Sequence, residues 1–184
     1  YYHGRRFMTD GFDAYRRHVN PVLAQLEEMT GTAVKFTRAD GCHIWDINGE
    51  KYLDFLSGFG SFNLGHNPGE ISTVIKTELE KAPLQIYGTG ASPYAGNVAS
   101  EICRVTGPPY EIAALTGSGT EAIESAIKIS HVFTGRKEVL YCRNAYHGTT
   151  LGSLSMMGEG PWRAPFEPLL SAFTPIPFND LNAL

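Results

Sequence analysis

The sequence predicts an α/β fold, the opening of a large domain with a parallel-rich sheet and helices on both faces. An N-terminal α+β segment built on a small antiparallel meander precedes it. Three observations carry this prediction. From Glu111 onward the apolar period alternates strand, helix, strand, helix, which implies parallel strands joined by helical crossovers. Between Ala33 and Phe55, short apolar clusters are separated by Asp40-Gly41 and Asn48-Gly49, residue pairs that favour tight hairpins. Thr116-Gly117-Ser118-Gly119-Thr120 lies between an apolar run and an amphipathic helix, as a glycine-rich strand-to-helix turn does. The α+β segment is expected over 1–65 and the larger domain from 66 to 184.

Taken in order, Thr9 to Met29 has helical spacing, broken by Asn20-Pro21 as a cap and first helical residue and closed by Gly31. The meander follows, with strands around Val34–Phe36, Ile44–Trp45 and Tyr52–Phe55. Ser57 to Pro68 is too irregular for a strand and too apolar for a solvated loop, so it either touches a ligand or packs. His66 in that stretch reads as a hydrogen-bonded structural histidine. Asn67-Pro68 is expected to cap a helix to about Lys81, and Ser92-Pro93 to start another through about Arg104. Glu111–Leu115 reads as a strand, Glu121–Phe133 as a helix closed by Gly135, and Glu138–Cys142 and Ala172–Ile176 as further strands. A helix-like stretch runs to about Met157. Glu124 and Lys128, four apart on the exposed face of their helix, are explained locally as a surface ion pair.

Composition excludes several classes. With 42% hydrophobic and 18% charged residues the 184-residue chain is globular, and its net charge of −4 offers no basic patch for nucleic acid. The apolar runs are too short for a membrane span, and no leader pattern opens the chain. Cys42, Cys103 and Cys142 are odd in number and lack metal spacing, so reduced thiols in a cytoplasmic protein are expected. Tyr1 at the start and the helix cap begun at Asn179–Leu184 lead to the expectation that the native protein extends beyond Leu184.

The glycine-rich turn is the first candidate site. The opening N–H groups of a helix lack internal partners and carry partial positive charge, and glycines let an anion approach them. Ser118 and Thr120 hydroxyls can add hydrogen bonds. The turn is therefore expected to hold a phosphate. No Walker A run is present. Gly117-Ser118-Gly119-Thr120-Glu121-Ala122 matches a dinucleotide fingerprint, but Arg143 stands where the acidic ribose partner belongs, which would suit NADP. The third reading is pyridoxal phosphate.

Four stretches in order resemble the class III aminotransferases of the fold type I pyridoxal-phosphate enzymes. Gly41 to Phe55 resembles a "D-x-x-G-x-x-Y-L-D" hairpin, and Asn63-Leu64-Gly65-His66-Asn67-Pro68 a "G-H-x-P" turn. Ser118 to Lys128 resembles "S-G-T-E-A-x-E-x-A-x-K", and Ala145-Tyr146-His147-Gly148 a "Y-H-G" element. The resemblance implies that Ser118, Gly119 and Thr120 bind the phosphate of pyridoxal 5'-phosphate, that Tyr146 stacks on its ring, and that His147 shapes the same wall. It further implies that Phe59 and Gly60 face the substrate, that Tyr87 reaches a partner subunit's site, and that the protein is a homodimer acting on amines or amino acids and oxo acids or aldehydes. Metal is not expected.

The family's chemistry also needs a lysine forming a Schiff base with the cofactor and an acid paired with the pyridine nitrogen. The resemblance puts both beyond Leu184. Lys128, on an exposed helix face, and Lys137, before a strand, are not candidates. This chain alone is thus expected to be inactive, and the longer protein to be a transaminase. An aminomutase or decarboxylase of the same fold, or a non-catalytic scaffold descendant, stands as the alternative.

Overall fold

The computed structural model describes residues 11–83 and 91–184; Tyr87 lies outside them. Contacts group the chain into two compact units, Tyr1–Ile86 and Tyr87–Leu184.

The first unit begins with helices α1 (Gly11–His18) and α2 (Pro21–Thr30). Asn20 Oδ1 accepts the Leu23 N–H at 2.9 Å, Pro21 takes the first helical position, and Gly31 closes α2 in the left-handed region at φ 70°. Strands β1 (Phe36–Asp40), β2 (His43–Asp46) and β3 (Lys51–Leu53) form an antiparallel sheet in chain order, with Asp40 opposite His43 and Trp45 opposite Lys51. Gly41 and Gly49 supply the positive φ that the two tight turns need. Buried Asp46 organises the second turn. Its Oδ1 accepts the Asn48 N–H at 2.9 Å and the Glu50 N–H at 2.8 Å.

After β3 the chain makes a single turn, α3 (Ser57–Gly60), of the uncommon hand. Gly58 (φ 56°, ψ 43°) and Phe59 (φ 57°, ψ 39°) are left-handed, flanked by Ser57 at φ 49° and Gly60 at φ 82°. For an L-residue this conformation costs about 1–2 kcal/mol, and neither Ser57 nor Phe59 has glycine's freedom. The loop returns to the meander through His66, whose N–H and carbonyl exchange hydrogen bonds of 2.8 and 3.0 Å with Gly41. Helix α4 (Gly69–Glu80) follows. The expected cap is corrected here. Pro68 occupies the N-cap position without a side-chain bond, and Asn67, at φ 49°, donates its amide to the Ala39 carbonyl at 2.8 Å. A partner 28 residues away in the sheet thus takes the side chain that local pattern assigned to the helix.

The second unit contains α5 (Pro93–Thr106), α6 (Gly119–Thr134), β4 (Val139–Cys142), α7 (Leu151–Ser155) and β5 (Phe173–Ile176). Strands β4 and β5 pair in parallel, from Val139 opposite Phe173 to Cys142 opposite Ile176. Ser92 caps α5 by accepting the Ala95 N–H at 3.3 Å, and Gly135 ends α6 at φ 68°. The expected strand Glu111–Leu115 is corrected. Those residues form no ladder, because no described strand lies beside them, and Ile112 is 91% exposed. An apolar run becomes a strand only where a neighbour supplies the hydrogen bonds. Among the described residues the buried apolar side chains are Tyr141, Leu154 and Met156, all on or beside β4 and α7.

A Cβ at Gly65 would fall 2.9 Å from the Gly41 carbonyl oxygen, and Gly65 sits at φ 76°. Gly65→Ala is expected to destabilise the protein by about 1–3 kcal/mol, read as a lower midpoint of denaturant unfolding.

Candidate phosphate-binding site

The site is built on the start of α6. Ser118, extended at φ −158°, is its N-cap, and Ser118 Oγ accepts the Glu121 N–H at 3.4 Å. The Ala122 N–H goes to the Ser118 carbonyl at 3.1 Å. That leaves the N–H groups of Gly119 and Thr120 with no acceptor among the described residues, at the positive end of a 16-residue helix. A Cβ built on Gly119 meets nothing within 4 Å, so the approach to these two donors is open.

Thr120 turns its hydroxyl the other way. Thr120 Oγ1 lies 2.7 Å from Thr150 Oγ1 and 2.7 Å from Ser153 Oγ, and those two oxygens are 2.9 Å apart. Glu124, one turn further along α6, completes the cluster. Glu124 Oε1 accepts the Thr150 hydroxyl at 2.6 Å, the Gly152 N–H at 2.8 Å and the Ser153 N–H at 3.3 Å. Thr150 gives its only proton to the carboxylate, so its oxygen must accept from Thr120 or Ser153. The negative charge thereby fixes the Thr150 hydroxyl, while Ser153 Oγ has the Thr150 carbonyl, 3.2 Å away, as a further acceptor.

This corrects the reading of Glu124 as half of a surface pair with Lys128. Its carboxylate caps α7, whose first N–H groups need an acceptor. The Thr150 hydroxyl first, then the Gly152 and Ser153 N–H groups, hold Glu124 below the ordinary glutamate value, with Lys128 the smallest contributor. Gly152 is needed for the fit, since a Cβ there would fall 2.5 Å from Glu124 Oε2. Thr150, Gly152 and Ser153 escaped the sequence reading. The signal was a small polar run that ends in two serines, Ser153 and Ser155, which are 0% and 1% exposed.

The same packing brings the fourth motif to the third. A Cβ on Gly148 would lie 2.5 Å from both Thr120 Cβ and Thr120 Oγ1, so only glycine lets the chain pass there. Two residues upstream, Tyr146 is 68% exposed and its ring is open to a flat ligand. His147 is half-buried and lines a cavity of about 600 Å³ with Ile123, Ile127, Tyr141 and Met156. Phe59 and Gly60 belong to the first unit. No described group of His, Cys, Asp and Glu could hold a metal ion, and Cys42, Cys103 and Cys142 are free thiols. No helix among the described residues is long and apolar enough to cross a membrane.

Comparison with known proteins settles the family. The family model described as aminotransferase class-III matches residues 25–184. The chain belongs to the class III aminotransferases. Among curated relatives of this aminotransferase chain, aminotransferase PigE of a Serratia species is 34% identical over 95% of the chain and 21% of its own length. The LysW-aminoadipate semialdehyde/glutamate semialdehyde transaminase of Sulfolobus acidocaldarius is 36% identical over 80% of the chain and 38% of its own length. Among solved structures, taurine:2-oxoglutarate aminotransferase of Bifidobacterium kashiwanohense, in complex with PLP and glutamate, superposes with a TM-score of 0.73 at 28% identity. That match covers 78% of this chain and 32% of the other. The chain therefore spans less than half the length of each of these relatives.

Glu124→Ala leaves two N–H groups and a hydroxyl without their acceptor, and is expected to cost about 2–3 kcal/mol in chemical unfolding. Glu124→Gln separates charge from shape. A carboxylate with a lowered folded pKa contributes stability above its unfolded value and loses it as pH falls through the folded one. The stability gap between wild type and Glu124→Gln should thus be widest near neutral pH and close in acid. A gap independent of pH would contradict the role given to the charge.

Proposed function

We propose that this chain forms the phosphate-gripping part of a pyridoxal-phosphate-dependent transaminase, which moves an amino group from an amine or amino acid to an oxo acid or aldehyde. The observation that carries the reading is the pair of free N–H groups on Gly119 and Thr120, with Gly148 pressed against Thr120 and the open Tyr146 ring just upstream. The residues fit such a cofactor. Gly119 and Thr120 donate backbone hydrogen bonds to its phosphate. Ser118 accepts its capping bond and keeps its own proton to donate. The Thr120 hydroxyl fixes the turn from behind through Thr150 and Ser153. Tyr146 covers one face of the ring, an arrangement suited to a flat electron-poor ring, and His147 backs that wall.

When bound, the cofactor supplies an electron sink for the carbon that carries the transferred amino group. This chain's share is to grip, orient and wall off. Phe59 and Gly60 line the substrate side. In this reading the lysine and the acid that the chemistry needs lie in the part of the relatives' length that this chain does not span. Lys128 is exposed on α6 and Lys137 precedes β4, so neither takes that place. The 184 residues alone are inactive in this reading, and the active form is a cytoplasmic homodimer with its sites at the subunit interface, without nucleic acid or membrane as partner. The amino and oxo substrates of the named relatives support the reaction class. The NADP reading is disfavoured, since Arg143 shares its pocket with the acidic Glu159, a poor neighbour for a 2′-phosphate.

The test uses the full-length protein loaded with pyridoxal phosphate and a panel of amino donors with 2-oxoglutarate. Amino transfer is expected from the full-length protein and none from the 184-residue chain. Gly148→Ala is expected to weaken cofactor binding at least tenfold by displacing Thr120. Cofactor bound without transfer to any acceptor would overturn the transaminase assignment, and turnover by the short chain would overturn the placing of the lysine.

A further inference from the structure

Four consecutive residues with positive φ, two of them not glycine, persist only where their surroundings over-determine them. In the first unit those surroundings centre on one carboxylate. Asp54 Oδ1 accepts the Leu56 and Ser57 N–H groups, each at 2.9 Å, as the chain enters the turn. Inside the turn the Gly60 N–H reaches the Leu56 carbonyl at 3.2 Å and the Phe62 N–H reaches the Ser57 carbonyl at 3.0 Å. Ser57 Oγ donates to the Phe62 carbonyl at 3.2 Å, and Ser61 Oγ to the Gly58 carbonyl at 2.7 Å.

The second carboxylate oxygen is tied to the far end of the loop. Asp54 Oδ2 lies 2.7 Å from His66 Nε2, and the two side chains are 12% and 18% exposed. His66 is itself fixed by its two backbone bonds to Gly41, and its ring packs on Phe62 with centroids 4.8 Å apart. Asp54 thus links the start of the turn to the end of the loop, and His66 carries that link to the first hairpin. What this frame displays is the Phe59 ring, 91% exposed. A strained turn that leaves a large apolar ring exposed gains no packing for that ring within this unit, and backbone strain of this kind collects at binding sites.

We infer that Asp54 and His66 are positioning residues that lock the left-handed Ser57–Gly60 turn, and so set how Phe59 meets the apolar part of the amino substrate. This rests on the transaminase reading above, which puts Phe59 and Gly60 on the substrate side. Neither Asp54 nor His66 touches reacting atoms. They act through Phe59, and their effect falls on donor selectivity and KM.

The test uses the full-length holoenzyme with a bulky and a small amino donor. His66→Ala is expected to change the ratio of kcat/KM between the two donors about tenfold, mainly through KM. His66→Gln, whose amide nitrogen can stand where Nε2 does, should return the ratio to within about threefold of wild type. Phe59→Ala should change the ratio as His66→Ala does, and the double variant should match Phe59→Ala alone, because two residues acting through one contact are not additive. Full additivity, or a His66→Ala ratio equal to wild type, overturns the inference. Should His66→Ala not fold, Asp54→Asn keeps an oxygen for the Leu56 and Ser57 N–H groups and alters the His66 contact alone. Hydrogen exchange at the Gly60 and Phe62 amides judges the lock without any activity. At least tenfold faster exchange confined to that loop, reversed in His66→Gln, supports the lock, and unchanged exchange overturns it. A wild-type holoenzyme that transfers no amino group defeats the transaminase reading, while the exchange result still decides the lock.

Discussion

The Glu124 carboxylate and its three donors carry much of the second unit. Helix α7 has five residues, far below the length at which a helix is stable by itself. It exists because a charge from α6 takes the two N–H groups at its start, and because Thr150 and Ser153 close hydrogen bonds behind it. On α7 and its exit sit Leu154 and Met156, which with Tyr141 of β4 are the buried apolar side chains among the described residues. Without the carboxylate, the N–H groups of buried Gly152 and Ser153 would lack an acceptor and the small core would lose its support. The carboxylate is therefore structural, yet it stands within one turn of the candidate phosphate donors, so rigidity and binding share one cause.

That arrangement separates two jobs which compete at a helix N-terminus. The first-turn donors of α6 can serve a cap or a ligand. Ser118 takes only the Glu121 N–H, which leaves Gly119 and Thr120 facing outward. The Thr120 side chain could also have turned toward a phosphate, and the sequence reading expected it to. Its hydroxyl lies instead against Thr150 and Ser153, of which Thr150 donates to Glu124. A backbone donor held from behind by its own side chain loses little freedom when an anion arrives, which is the physical content of a preorganised site. The tight passage of Gly148 past Thr120 extends the same rigidity to the segment bearing Tyr146 and His147.

Much of this was legible in the residues, and what was not has a common reason. Helix α6 announced its end at Gly135, and the meander announced its turns with Asp40-Gly41 and Asn48-Gly49, because caps and tight turns are decided by neighbours in sequence. Glu124 was misread because Lys128, four residues on, already offered a sufficient local partner, whereas its actual donors lie 26 to 29 residues away. Asn67 failed likewise, drawn to Ala39 across 28 residues. Glu111–Leu115 has the composition of a strand, but pairing is a property of two segments. The four-motif order succeeded where single motifs did not, since it samples several long-range contacts at once.

The two units solve one problem in the same way. Each has a short backbone element that would not persist unaided: five helical residues in α7, and a left-handed turn at Ser57–Gly60. In each, one carboxylate accepts two backbone N–H groups at the start of that element and a third hydrogen bond from a side chain, Thr150 in one and His66 in the other. Hydrogen bonds to a charged acceptor are about twice as strong as neutral ones, so a single Asp or Glu can offset a conformational cost that a serine or asparagine would not. The same choice ties both elements to ionisation. The Ser57 N–H first, then His66, lowers Asp54, and the Thr150 hydroxyl first lowers Glu124. Both carboxylates are stabilised as anions in the folded state, so each contributes stability at neutral pH and loses it as pH falls through its own lowered value. In each unit the sensitivity to acid is set by the hydrogen-bond donors around its own carboxylate.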